Sequence, residues 1–292
     1  MLQIKLFGTL QIGLGDFLNL RFRTRKAQAL LIYLAVTERS WTREALATLF
    51  WPETNDARAR KNLRDILPTL RRQLGDYLLL DDEIIGLDPA SHYNCDVTLF
   101  SKALEQQLPT VETTTLVATL ALYQGQFLEN YNSARISADF ELWMLHERDR
   151  LHHLAVIGFT TLCRRQEEMG AYEAALATNR QLLKLAPWDE AIHRQQMLLL
   201  ARSGQRGAAL AHYEVCRQML ADELDVEPDL DTLQLYQAIQ KGGYSSERTA
   251  LVPISPPTNA IKPSATFPDS IITLPVATPR ARQPHTVDWG NA

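Results

Sequence analysis

The sequence predicts a mainly α-helical protein with a small β component, and three observations carry that expectation. Short apolar–polar alternations occupy residues 2–22, and two short apolar runs flank an acidic turn at residues 77–87. Between them lie three stretches whose apolar residues recur at the three-four spacing of a helix face. After Asp96, helical patterning runs to about residue 241, and within it Gly170-Ala-Tyr-Glu-Ala-Ala-Leu176 is echoed thirty-four positions later by Gly204-Gln-Arg-Gly-Ala-Ala-Leu210. With 292 residues, 46% of them hydrophobic, the chain can build two cores.

Taken in order, Leu2, Ile4 and Leu6 alternate with Gln3 and Lys5, Gly8 marks a turn, and Leu10 and Ile12 follow. Gly13-Leu-Gly15-Asp16 reads as a second turn before a third extended stretch, Phe17–Phe22. That glycine pair lacks the third glycine and the following helix of a dinucleotide fingerprint. Thr24 is placed to cap a helix through Lys26–Val36, which is too apolar for exposure and should be the central core helix. Thr42 caps a short helix, Arg43–Phe50, with Leu46, Leu49 and Phe50 inward, and Trp51-Pro52 ends it.

The next helix, Asp56–Leu74, is the most informative. Leu63, Ile66, Leu67, Leu70 and Leu74 form an apolar back. At ~100° per residue, Arg58, Lys61, Asp65 and Arg72 fall opposite, with Arg64 and Arg71 flanking on one side and Asn62 on the other. Pro68 lies on the front, where it removes one donor at ~3 kcal/mol in a regular helix; it predicts a kink and assigns groove reading to the half before it. Gly75-Asp76 stops the helix, and Tyr77–Leu80 and Ile84–Leu87 read as a hairpin around Asp81-Asp82-Glu83.

The net charge of −4 hides an uneven distribution. Residues 1–95 carry thirteen Lys and Arg against eleven Asp and Glu; the remainder carries seventeen against twenty-three. Positive charge gathers in Arg21–Lys26 and Arg58–Arg72, and phosphate binding is local. A cationic, hydrogen-bonding helix front suits nucleic acid, because Arg and Asn can each contact a base edge in bidentate fashion; a merely solvated charged face is the competing reading of this helix in isolation. The expected base readers are Arg58, Lys61, Asn62 and Asp65, the last accepting from a cytosine amino group. The expected phosphate contacts are Arg23, Arg25, Lys26, Arg64, Arg71 and Arg72.

Strands, three helices and a β-hairpin give the order of a winged helix-turn-helix with an N-terminal sheet. Leu6-Phe-Gly-Thr-Leu10, Arg25-Lys-Ala-Gln-Ala-Leu-Leu31, Leu49-Phe-Trp-Pro52 and Leu70-Arg-Arg-Gln-Leu-Gly75 stand in the order and spacing of the response-regulator-type winged helix. Residues 1–95 thus resemble the N-terminal domain of the streptomycete antibiotic regulatory protein family. The resemblance implies that the third helix enters the major groove and the hairpin lies near the minor groove. The acidic hairpin tip departs from that picture, since it repels phosphate.

Residues 96–241 read as a second, helical domain with a helix over Leu116–Gln124 ended by Gly125 and a long one over Asp139–Met169. The thirty-four-residue period is that of tetratricopeptide repeats. Ala174/Ala175 and Ala208/Ala209 should let paired helices approach, Tyr172 should fill the groove, and Pro187 takes the terminating position. Ala121–Leu128, Phe140-Glu-Leu-Trp143, Pro187–His193 and Glu223–Pro228 resemble the bacterial transcriptional activator domain. Residues 242–292, with eight prolines, read as a linker or tail. The last eight, His285–Ala292, resemble the entry to a nucleotide-binding domain, which implies a longer parent chain.

Enzyme chemistry finds no foothold. His146-Glu147 is followed at the next ligand position by Arg150, so the zinc-protease motif fails. Cys95, Cys163 and Cys216 are odd in number and widely spaced, and no P-loop or nucleophile elbow occurs. No catalytic residue, metal or cofactor is therefore expected. The chain reads as soluble and cytoplasmic, with no membrane span. The favoured function is a transcription regulator that binds double-stranded DNA and uses its helical domain for self-association or for contact with a partner such as RNA polymerase. The alternative is a tetratricopeptide interaction module whose winged helix binds protein.

Overall fold

The computed structural model describes residues 1–15, 20–106, 108 and 110–244. Strands β1 (Leu2–Lys5) and β2 (Gln11–Leu14) lead into helix α1 (Arg25–Thr37), the two-residue strand β3 (Trp41–Thr42), helices α2 (Arg43–Phe50) and α3 (Asp56–Leu74), the hairpin β4 (Leu78–Leu80) and β5 (Ile84–Leu87), and strand β6 (Tyr93–Cys95). Helices α4 (Asp96–Gln106), α5 (Thr113–Leu120), α6 (Ala138–Glu168), α7 (Tyr172–Leu185), α8 (Glu190–Arg202), α9 (Arg206–Leu224) and α10 (Leu230–Gln240) follow. The architecture is the expected one, mainly helical with a winged helix in front. Among the described residues, no helix is long and apolar enough to cross a membrane. The tail beyond Tyr244, with the segment resembling a nucleotide-binding domain, lies outside the described residues.

Two small sheets bracket the winged helix. In one, β1 pairs antiparallel with β2 (Ile4 opposite Ile12) and parallel with β6 (Ile4 opposite Cys95). Leu2, Ile4 and Leu6 all point inward, which is the alternation read from sequence. In the other, β5 lies between β3 and β4. The third extended stretch is not borne out where it can be followed. Leu20–Phe22 form no strand; only Leu20 reaches β2, donating its N–H to the Ile12 carbonyl at 2.7 Å. Residues 17–19 lie outside the described set.

Side-chain caps fix the helix starts. Thr24 and Thr42 accept from Ala27 and Ala45, each at 3.2 Å, and Asn55 accepts from Arg58 N at 2.9 Å. Helix α5 stops at Leu120, short of the expected Gln124. Its tail tightens into i−3 hydrogen bonds at Leu122 and Tyr123, turning the chain so that the Gln126 carbonyl accepts from Gly8 N at 3.0 Å. Gly125 serves that approach rather than a helix stop: a Cβ there would lie 2.9 Å from Gly8 Cα.

The core does not end where the winged helix does. Phe50 of α2 packs at a tilt against Phe140 of α6 with ring centroids 5.6 Å apart, and Tyr33 of α1 meets Trp143 edge-on at 4.9 Å. Leu128 N donates to the Leu6 carbonyl at 2.7 Å, and Asp96 accepts from Leu6 N and Phe7 N at 2.9 and 3.1 Å. Arg148 of α6 donates to the carbonyls of Phe127 and Leu128 at 2.8 and 2.7 Å, fixing that loop against β1. One contiguous cluster runs from Leu2 to Leu162, and a second holds the repeats.

The repeats have matching turns. Gly170 and Gly204 adopt positive φ of 72° and 81°, and each is followed by an N–H returning five residues to a helix carbonyl, Ala171 to Gln166 and Gln205 to Leu200. Helix α7 ends at Leu185, two residues before Pro187. Of the expected small pairs, only Ala175 and Ala209 are buried, whereas Ala174 and Ala208 are exposed. Neighbours in a helix point ~100° apart, so one of each pair must face away from the partner helix. Tyr172 packs against the repeat core as expected.

Candidate nucleic-acid interface

Helix α3 buries Ala59, Leu63, Leu67, Leu70 and Leu74, with Ile66 half-buried. That leaves Arg58, Arg60, Lys61, Arg64, Asp65, Arg71 and Arg72 exposed and Asn62 half-buried at the flank. The helix runs through Pro68, which is exposed, without a break. Arg58 to Asp65 spans ~10 Å of helix axis, commensurate with a major groove ~12 Å wide. Among the described residues, none of the α3 arginines nor Lys61 forms an ion pair. Asp56 in the first turn and Arg71 and Arg72 in the last complement the helix dipole.

Arg60 is the functional candidate that the face analysis missed. It is exposed and shares a ridge with Arg64 and Arg71, at spacings of four and eleven, on the flank toward α2. There it borders a shallow cleft with Glu44 and Asp56. The helical wheel carries the signal, because 60, 64 and 71 fall within ~40° of one another.

The basic stretch before α1 divides. Arg21 and Arg23 are exposed and hold no ion pair among the described residues, while Gln73 of α3 donates to the Arg21 carbonyl at 2.6 Å. Arg25 leans toward the Asn132 carbonyl at 3.5 Å. Lys26 is turned inward: its ammonium donates to the Phe50 carbonyl, lies 3.3 Å from Glu53 and sits 4.9 Å from the Trp51 ring centroid. It thus joins α1 to the C-terminal end of α2, where the helix dipole favours a cation.

The hairpin tip is held as well as acidic. Arg43, at the start of α2, donates through Nε and Nη2 to the Asp81 carbonyl at 2.9 and 2.7 Å, and Arg43 N donates to the Glu83 carbonyl at 3.0 Å. The carboxylates of Asp81, Asp82 and Glu83 remain exposed.

Among the described residues, no group of His, Cys, Asp and Glu could hold a metal ion. All three cysteines are free and buried; burial pushes the Cys95 and Cys163 thiols up to about 12. His193 and His212 stack with ring centroids 5.1 Å apart and share a 3.1 Å hydrogen bond, and His193 Nε2 bonds the Pro187 carbonyl at 2.7 Å. Burial, then the neighbouring His193, lowers His212 to about 4. These histidines join α8 to α9 and to the Pro187 turn.

Comparison with known proteins agrees with the fold. The family described as "bacterial transcriptional activator domain" matches residues 95–240. The chain is 28% identical over 253 residues to the regulatory protein AfsR of Streptomyces griseus, a match covering 83% of this chain and 25% of that protein. It is 24% identical over 253 residues to the transcriptional regulatory protein MoaR1 of Mycobacterium tuberculosis, covering 81% of this chain and 78% of MoaR1. Mycobacterium tuberculosis EmbR, solved in complex with a low-affinity phosphopeptide, superposes with a TM-score of 0.60 at 22% identity, over 82% of this chain and 65% of EmbR. That likeness shows the shared fold. The chain spans about a quarter of the length of AfsR.

Proposed function

The chain belongs to the bacterial transcriptional activator domain family, and from that premise we propose that it is a sequence-specific DNA-binding transcription regulator, acting as an activator in the cytoplasm. One observation carries the reading: a winged helix-turn-helix presents a helix whose exposed cations hold no ion pair among the described residues, although acidic side chains are plentiful elsewhere on the surface. An unneutralised cationic ridge of this length suits a polyanion. The names of AfsR and MoaR1, both regulatory proteins, support it.

Arg58, Lys61, Asn62 and Asp65 are the proposed base readers. Arg23, Arg25, Arg64, Arg71 and Arg72 are the proposed phosphate contacts, joined by Arg60. Lys26 is bound into the fold, so its loss should lower stability rather than the salt dependence of binding. The helical repeats are proposed to bring together a second copy of the chain or to contact RNA polymerase; the surfaces of such repeats suit protein partners. The test is a titration of the full chain against its genomic DNA fragments across a salt series. Affinity should fall steeply with salt and one fragment class should be retained over random DNA. A flat salt response would return the winged helix to a protein-binding role.

A further inference from the structure

The basic strap before α1 is fastened at four of its residues. Leu20 N bonds the Ile12 carbonyl, the Arg21 carbonyl takes the Gln73 amide, Phe22 packs against the core, and Thr24 caps α1. With Leu20 and Phe22 turned in, Arg21 and Arg23 are left exposed. Gln73 stands in the last turn of α3 beside Arg71 and Arg72. Its hydrogen bond therefore ties the strap carrying Arg21 and Arg23 to the end of α3, and none of these four arginines is ion-paired among the described residues. Gln73 Oε1 is buried without a hydrogen-bond partner among the described residues, so the amide's bond to the strap is the interaction that offsets burying it.

The spacing says what this end of the helix can reach. Gln73 lies eleven residues beyond Asn62, ~16 Å along the axis. A major groove is ~12 Å wide, so with the first half of α3 seated on base edges, the Gln73 end stands beyond the groove at the sugar–phosphate wall. We propose that Gln73 is a positioning residue: by holding the Arg21 carbonyl it seats Arg21 and Arg23 beside Arg71 and Arg72 as one phosphate clamp flanking the groove. The inference rests on the DNA-binding reading above.

The experiment uses the full chain and its preferred DNA fragment, with Gln73→Met, the double variant Arg21→Ala/Arg23→Ala, and the triple. Removing one cation–phosphate interaction lowers the slope of log affinity against log salt by ~0.9. The double variant should lose about two of slope and Gln73→Met about one, each weakening specific and random DNA equally, with the triple no worse than the double. A wild-type slope for Gln73→Met, additive losses in the triple, or a changed ratio of specific to random binding would each overturn the clamp. Arginine-selective labelling of the wild-type complex gives a second measurement that needs no variant: bound DNA should shield Arg21 and Arg23 together with Arg71 and Arg72. Continued labelling of Arg21 and Arg23 in the complex counts against the clamp while leaving DNA binding intact. Absence of DNA binding by the wild-type chain at every salt concentration removes both readings.

Discussion

Along α3, Arg58, Arg60, Lys61, Arg64, Arg71 and Arg72 have no ion-pair partner among the described residues, whereas in the helical region most arginines, Arg135 and Arg180 apart, close onto acceptors of the same chain. Arg150 holds Glu105 and Glu147, Arg202 holds Glu167, Arg194 holds Asp229, and Arg148 and Arg165 donate to backbone carbonyls. The residue type is the same and its use is opposite. A paired guanidinium has its fork occupied and fixes two segments together. An unpaired row on one helix face repels itself, and a polyanion laid along it relieves that repulsion. On the proposed function, partner satisfaction separates the α3 face from structural cement better than net charge does.

The largest expected effect tests how separate the two regions are. Phe140 is fully buried against Phe50, so Phe140→Ala should cost ~3–5 kcal/mol. Its denaturant midpoint should fall, and winged-helix signals should melt together with it. Unfolding of the helical region alone, with α2 and α3 still protected from amide exchange, would show two independent bodies. For the same reason residues 1–95 alone should unfold more readily than the full chain, because Tyr33, Phe50 and Phe7 lose their partners from residues 96–143.

Next comes base reading. Arg58→Ala or Asn62→Ala should reduce preference for the specific site by ~1–3 kcal/mol while leaving random DNA nearly unaffected. Equal losses on both DNAs would move these residues to the phosphate class.

His212 supplies a test confined to the repeats. Its folded value, about 4, lies below the ordinary 6.5, so the unfolded chain takes up the proton first as pH falls. Stability from this group is full above pH 6.5 and is lost between 6.5 and about 4; between pH 7 and 5 the loss is at most ~2 kcal/mol. Urea midpoints at the two pH values should differ less in His212→Gln than in wild type. Identical differences would mean that His212 titrates normally.

The smallest effects draw the contrast most sharply. Arg164 pairs with Glu168 on the exposed side of α6 at 3.6 Å. Arg164→Ala should change stability by under ~0.5 kcal/mol and leave the DNA salt slope untouched. Arg64→Ala or Arg71→Ala should lower the slope by ~0.9, also with little change in stability. If Arg164→Ala lowered the slope as much, the helical region would share the DNA surface.

Local signals were legible in the sequence and long-range ones were not. The caps Thr24 and Thr42 and the span of α3 follow from rules acting within four residues, and the structure has them. The thirty-four-residue period placed both glycine turns because a repeat states its own register. Strand β6 carries little alternation in three residues, and its parallel pairing with β1 is decided ninety positions away. The inward turn of Lys26 depends on where Phe50, Trp51 and Glu53 come to rest, which no window around residue 26 contains. Arg60 is legible on the helical wheel, on a ridge at the edge of the face opposite the leucines. The shared aromatic core is invisible to periodicity, since Phe140 and Trp143 look equally at home packing among helices of their own region.

The hydrogen bonds joining Leu6 and Gly8 to Leu128 and Gln126 bridge about 120 positions. During translation at ~5–20 residues per second, the first strand waits ~6–24 s for those partners, and longer for Phe140 and Trp143. The winged helix is thus made first and completed late, with α1 and α2 exposing apolar surface that the emerging α6 later covers. High contact order of this kind slows folding and favours association between unfinished chains. Nascent chains stalled before residue 100 should be cut readily by protease within the winged helix, and chains stalled beyond residue 180 should resist. Under the proposed function, the winged helix would grip DNA only after synthesis has passed Trp143.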